Sequence, residues 1–213
     1  MGSSVKLSSH ELVRALYGAV PKPLLGQAWM RQAAVAVILR PGGEGMELLL
    51  IQRASFEGDR WSGHMAFPGG KVDQGDRGPM WAAVREVREE LGLALNLDTE
   101  HLGSLNRVLT LSPRSARPMW VEPHVFLLER DEVALEPGGE VASALWVPWG
   151  ELMSGRSSSW RRVKGVPVRL GHYRCRGQQV WGLTFQMIED LRERLAHRSG
   201  VGVHQRGRWR KRL

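Results

Sequence analysis

The chain has 213 residues, of which 42% are hydrophobic and 24% charged, and carries a formal net charge of +8 at pH 7. That balance fits a soluble globular chain of one domain with extensions. It holds no apolar run near the roughly 20 residues of a membrane-spanning helix, and its N-terminus lacks the long apolar core of a secretory signal.

In chain order, Ser8 and Glu11 have the spacing of a capping box, so "ELVRALYGAV" (11–20) reads as a short helix stopped by Pro21 and Pro23. The apolar runs 33–40 and 46–53 flank the turn "PGGEG" and predict a hairpin of two strands. "HMAFPGG" (64–70) reads as a short strand entering a glycine turn. Pro79 suits the first position of a helix and Gly92 its stop. Strands are expected at 102–111, 122–129 and 141–148, then a brief helix in "PWGELMSG". "GRSSSWRRVKG" reads as an exposed loop, "VPVRLGHYRCRGQQVWG" as two strands and "LTFQMIEDLRERLAHR" as an amphipathic last helix. Strands interrupted by helices, without strict alternation, predict an α/β fold with a mixed sheet between helices. The expected divisions are a helical extension over 1–30, the main domain over 31–198 and a basic, disordered tail over 199–213. The single cysteine, Cys175, cannot make an internal disulfide, so a cytoplasmic setting is expected. Six of the 30 Lys and Arg lie between Arg198 and Leu213, leaving a net +2 for the rest, so weak contact with anionic partners is expected of the tail alone.

Pro-Gly-Gly occurs at 41–43, 68–70 and 137–139, and each reads first as a turn. Only the second leads into a carboxylate-rich helix. There Glu86, Glu89 and Glu90 fall within an arc of about 100°, while Val84, Val87 and Leu91 take the opposite face. Neighbouring carboxylates repel, and Arg85, four residues before Glu89, offsets part of that repulsion. A hard divalent cation offsets more, because oxygen is its preferred ligand. A solvated face of weak ion pairs is the bland reading of the same helix.

At these residues the chain resembles the Nudix hydrolases, whose box reads G-x5-E-x7-R-E-U-x-E-E-x-G-U with U aliphatic. Gly70 opens the pattern, and Arg85 to Leu93 fills its second half without a gap. Asp76 stands where glutamate is usual, and eight residues rather than seven separate it from Arg85. Upstream, Leu49, Leu50, Arg53 and Ala54, then Phe67 to Gly70, are similar to the signature of the Nudix enzymes that split coenzyme A; Ile51 replaces its threonine, and Arg60 and Gly63 are spaced differently. The resemblance covers roughly residues 31 to 195.

It implies an α/β/α sandwich and hydrolysis of a nucleoside diphosphate linked to another group, with coenzyme A or its acyl form as first choice. ADP-ribose, dinucleoside polyphosphates and oxidised nucleotides stay open as substrates, as does a non-catalytic module binding nucleotide or RNA. The implied cofactor is Mg²⁺ or Mn²⁺, held by Gly70, Glu86, Glu89 and Glu90, and the implied general base is Glu86 or, second, Glu140 in the third Pro-Gly-Gly loop. Arg85 is expected to orient the glutamates. Arg53 and Phe67 are the substrate-binding candidates, Arg53 either clamping phosphate or lying at the surface. His64 reads as a packing or hydrogen-bonding histidine, His172 with Cys175 is too sparse for zinc, and Trp120 and Trp181 read as core before they read as stacking partners.

Overall fold

The computed structural model describes residues 7–55, 62–95, 99–110, 117–130, 133–163 and 165–198. The proposed 199–213 tail and Arg60 lie outside them.

The sheet is built around β1 (Arg31–Gly42), which pairs antiparallel with β2 (Gly45–Arg53) and parallel with β7 (Met119–Leu128). Both faces of β1 are covered: Ala33, Val37 and Leu39 enter one core cluster, while Ala34, Ala36 and Ile38 enter the other. A strand buried on two sides needs an almost unbroken apolar run, and "AAVAVILR" is one. Around this pair stand β3 (Met65–Ala66) and β8 (Val141–Pro148) on β2, β4 (Gly69–Lys71) on β1, and β5 (Thr99–Ser104) and β6 (Val108–Thr110) on β7. The parallel β1–β7 pairing among antiparallel ones makes the sheet mixed, as expected.

α2 (Pro79–Leu91) covers one face and contacts β1 and β4. Against the other lie α1 (Ser9–Leu16), α3 (Trp149–Ser154) and α4 (Gly182–Arg198), giving an α/β/α sandwich. A second sheet of β9 (Arg156–Val163), β10 (Val166–Cys175) and β11 (Gln178–Trp181) joins α3 to α4. The Ser8–Glu11 capping box starts α1, which packs on α4 through the core containing Leu12 and Leu16. The helix ends at Leu16, short of the prolines, because Gly18 turns left-handed and Ala19 bridges to Gly103.

Three expectations need correction. The predicted loop "GRSSSWRRVKG" contains β9: its sequence RSSSWRRV is mostly Ser and Arg and none of its residues is buried, so no apolar period betrays the strand. The strand expected over 102–111 is two strands, with Leu105 to Arg107 between them, where the Asn106 backbone and side chain bond Asp190 of α4. Gly69 and Gly70 form β4 instead of a turn, paired to Val35 and Ala34 of β1.

Candidate active site

Pro79 at the first turn and left-handed Gly92 at the end fix α2 where the spacing predicted it. Its faces divide differently from the simple arc. Val87 and Leu91 are buried, and Val84 is only partly so. Glu90 turns inward, 6% exposed, while Glu86 is half-buried and Glu89 exposed. The buried carboxylate accepts a hydrogen bond of 2.9 Å from the Gly69 N–H.

Glycine is required where the sheet meets the helix. A Cβ on Gly70 would lie 2.2 Å from Glu86 Oε1, and one on Gly69 would lie 2.3 Å from the Ala34 carbonyl oxygen. The carboxylate of Glu86 therefore sits against bare backbone, and any side chain at residue 70 would fill its place.

Arg85 holds the acidic cluster together. Nε and Nη2 each donate to Asp76 at 3.1 Å, Nη1 donates to Glu86 and Glu89 at 3.0 Å, and Nη2 also reaches the Lys71 carbonyl at 3.1 Å. The hydrogen bonds from Arg85 hold Asp76 below the usual carboxylate range, and those same bonds raise the guanidinium above its ordinary value. A shortened acid, one residue further off than in the resembled box, thus still reaches the arginine as a bidentate pair.

The other carboxylates shift the other way. Burial pushes Glu90 up to about 7, against the Gly69 hydrogen bond; Glu86 and Glu140 add to the rise, and Arg53 opposes it. Burial likewise raises Glu86 against Arg85, with Glu89 and Glu140 adding to the rise. Crowded acids disfavoured as anions are what an added cation would relieve.

Glu140 reaches this cluster through its loop. The N–H groups of Glu136 and Gly138 donate at 2.8 Å to the Leu91 and Glu90 carbonyls, capping the end of α2, and the Ala54 N–H donates to the Glu140 carbonyl at 2.9 Å. The third Pro-Gly-Gly is thus a helix cap that carries a carboxylate to the site.

Among the described residues no three His, Cys, Asp or Glu side chains close a metal shell by themselves. The donors still fit Mg²⁺ or Mn²⁺: all are hard oxygens, one is pressed against Gly70, and such ions commonly complete their shell with water and substrate phosphate.

On the sheet face away from α2 lies a cavity of about 330 Å³, lined by Arg53, His64, Phe67, Trp181 and the backbone of Gly69 and Gly70 among others. Arg53 stands at the end of β2, where the register with β8 shifts, and its charge is felt at Glu90. Phe67 is 3% exposed, a wall of this cavity as well as a core residue. His64 packs on Trp181 with ring centroids 4.8 Å apart. Trp120 is buried on β7 under Arg107, away from the cavity. His172 and Cys175 are buried in the second sheet, and the Nε–H of Arg174 donates to His172. Sequence reading reached single residues of this cavity, Arg53 and Phe67 as substrate-binding candidates and His64 and Trp181 as aromatics, but not the space itself, because its walls come from β1, β2, β3, β4, β7, β11 and α4.

The NUDIX domain model matches residues 30–164. The chain belongs to the Nudix family. Among its Nudix relatives, the human mitochondrial coenzyme A diphosphatase NUDT8 is 32% identical over 70% of this chain and 63% of that protein. The Caenorhabditis elegans peroxisomal coenzyme A diphosphatase ndx-8 is 32% identical over 58% of this chain and 51% of its own length. The chain thus spans less than two thirds of either relative. An uncharacterized Nudix hydrolase, NudL of Escherichia coli, is 32% identical over 76% of this chain and 81% of that protein. Among solved structures, the NUDIX domain of Shewanella oneidensis NrtR, complexed with ADP ribose, aligns with a TM-score of 0.51 at 18% identity, covering 89% of this chain and 99% of that one. That likeness confirms the Nudix fold. The compartments belong to those relatives; for this Nudix chain, no helix among the described residues is long and apolar enough to cross a membrane.

Proposed function

We propose that the protein hydrolyses the diphosphate bond of coenzyme A or acyl-coenzyme A with the help of Mg²⁺ or Mn²⁺, releasing 3′,5′-ADP and the phosphopantetheine half. The observation that carries this reading is the Glu86 carboxylate seated against Gly70, beside buried Glu90 and within the electrostatic reach of Glu140. The match to the upstream signature, from Leu49 to Ala54 and Phe67 to Gly70, and the two coenzyme A diphosphatases among the relatives support the choice of substrate.

Glu86, Glu89 and Glu90, with the Gly70 carbonyl, are the residues proposed to hold the ion. When bound, the ion neutralises the diphosphate and lowers the pKa of water. Arg53 donates to a phosphate oxygen and steadies the leaving phosphate. Glu86 takes the proton of the attacking water, with Glu140 as the second candidate. Water oxygen bonds to one phosphorus as the bridging P–O bond breaks, and the other phosphate departs with the electron pair. Arg85, tied to Asp76, keeps Glu86 and Glu89 in place throughout.

The test is incubation of the full chain with coenzyme A and Mg²⁺, products resolved by mass, for wild type and Glu90→Gln. Glutamine keeps an acceptor for the Gly69 N–H, so the variant is expected to fold and to lose turnover at least a hundredfold. Intact coenzyme A with the wild type, or full activity in the variant, contradicts the proposal.

A further inference from the structure

The 330 Å³ cavity lies across the β4 glycines from the carboxylates, with Arg53 lining it and bearing on Glu90. A substrate whose diphosphate sits by Arg53 must therefore send one of its two halves into this space. We infer that the cavity takes the flexible, neutral arm of the substrate and not its purine; the inference rests on the proposed function, which makes that arm pantetheine.

The walls decide between the halves. Met65, Met119 and Met187 line the cavity together with Phe67 and Leu183. Unbranched thioethers adjust to a chain of many rotamers, and they offer only weak acceptors. The one hydroxyl among the described lining side chains, Thr184 Oγ1, donates to the Met65 carbonyl at 3.2 Å. A purine carries donors and acceptors around its rim, and against the methionine, Phe67 and Leu183 walls they would lose water without gaining partners. An arm with a dimethyl-substituted carbon and widely spaced amides can bury its aliphatic parts and turn its amides to the mouth.

Nor do His64 and Trp181 of the lining form a flat slot. The His64 and Trp181 rings are inclined at 60° with centroids 4.8 Å apart, and the Arg161 guanidinium lies 4.8 Å over Trp181. A base stacks between parallel faces, and these rings are tilted into contact with each other. The volume is also suitable. At a water's share of roughly 30 Å³, the cavity holds about ten small groups, a stretch of chain longer than a single methyl pocket would admit.

The test uses wild-type protein carrying methionine labelled with ¹³C at its methyl groups, titrated separately with pantetheine and with 3′,5′-ADP. Pantetheine is expected to shift the Met65, Met119 and Met187 methyl signals, and 3′,5′-ADP to leave them in place. As a second arm, Met187→Trp is expected to weaken inhibition of turnover by pantetheine at least tenfold and to change inhibition by 3′,5′-ADP less than twofold. Shifts caused by 3′,5′-ADP in place of pantetheine, or by neither, overturn the inference. If coenzyme A is split while pantetheine leaves the three methyls unmoved, the inference fails and the proposed function stands. If pantetheine moves them while coenzyme A stays intact with Mg²⁺, the subsite stands and the proposed function fails.

Discussion

Gly69 and Gly70 are neighbours in one short strand, yet an added methyl group would do different damage at each. At Gly69, with φ of 148°, it would strike the Ala34 carbonyl and the Val35 backbone, neither of which can move without parting the sheet. At Gly70 it would strike the far end of the Glu86 side chain, which can swing aside. Gly69→Ala is therefore expected to cost about 3 kcal/mol of stability in denaturant melts. Gly70→Ala is expected to melt within about 1 kcal/mol of wild type but to lose turnover roughly a hundredfold, because an ångström of misplacement at a reacting group costs about that much. Equal stability loss in both variants would contradict the assignment of the Gly70 space to a carboxylate. The residue scale also shows the limit of spacing arguments. A helical wheel puts Glu86, Glu89 and Glu90 on one arc, but it does not show that a backbone N–H waits for Glu90 in the interior.

Among the elements, those with local signals could be read in advance. α2 was bounded by a proline and a glycine whose backbone demands are independent of the rest of the fold, and β1 by an apolar run that only a doubly covered strand explains. The exposed β9 has no such signal, because its partner β10 settles it through pairing alone. The break between β5 and β6 depends on Asp190, 84 residues from Asn106. α4 joins the second sheet through another distant contact. Glu189 accepts from Arg156 at 2.7 and 3.0 Å, from Arg192 at 3.2 Å and from the Tyr173 hydroxyl. Burial by itself would raise Glu189, but these bonds hold it at about 2, below its ordinary 4.5. The resulting stabilisation is on the order of 3 kcal/mol, complete above pH 4.5 and lost as pH falls through about 2. Denaturant melts of wild type and Glu189→Gln should differ by about that much at pH 7 and converge as the solution is acidified from 4.5 towards 2. A difference that ignores pH would contradict the ionised network.

At the scale of the molecule, charge is distributed more unevenly than the net value implies. Residues 155–181, which span the second sheet, hold seven Lys or Arg and no Asp or Glu, so the tail is not the sole basic segment. Several of those arginines are used internally: Arg156 on Glu189, Arg161 on Gln179 and Trp181, Arg176 near Glu151. The sandwich places the carboxylates on the α2 face, the cavity on the other and the glycines of β4 between them. Nothing in that arrangement calls on residues 199–213. Their removal is expected to leave coenzyme A turnover within twofold of the full chain in a steady-state assay, and a tenfold loss would place the tail at the site. The most direct measurement is a Mn²⁺ titration followed by electron paramagnetic resonance, on wild type and on the double variant Glu86→Gln, Glu90→Gln, each shown to be folded by circular dichroism. The carboxylate cluster predicts at least tenfold weaker Mn²⁺ binding in the double variant; equal affinity in the two proteins would contradict a cation site on α2.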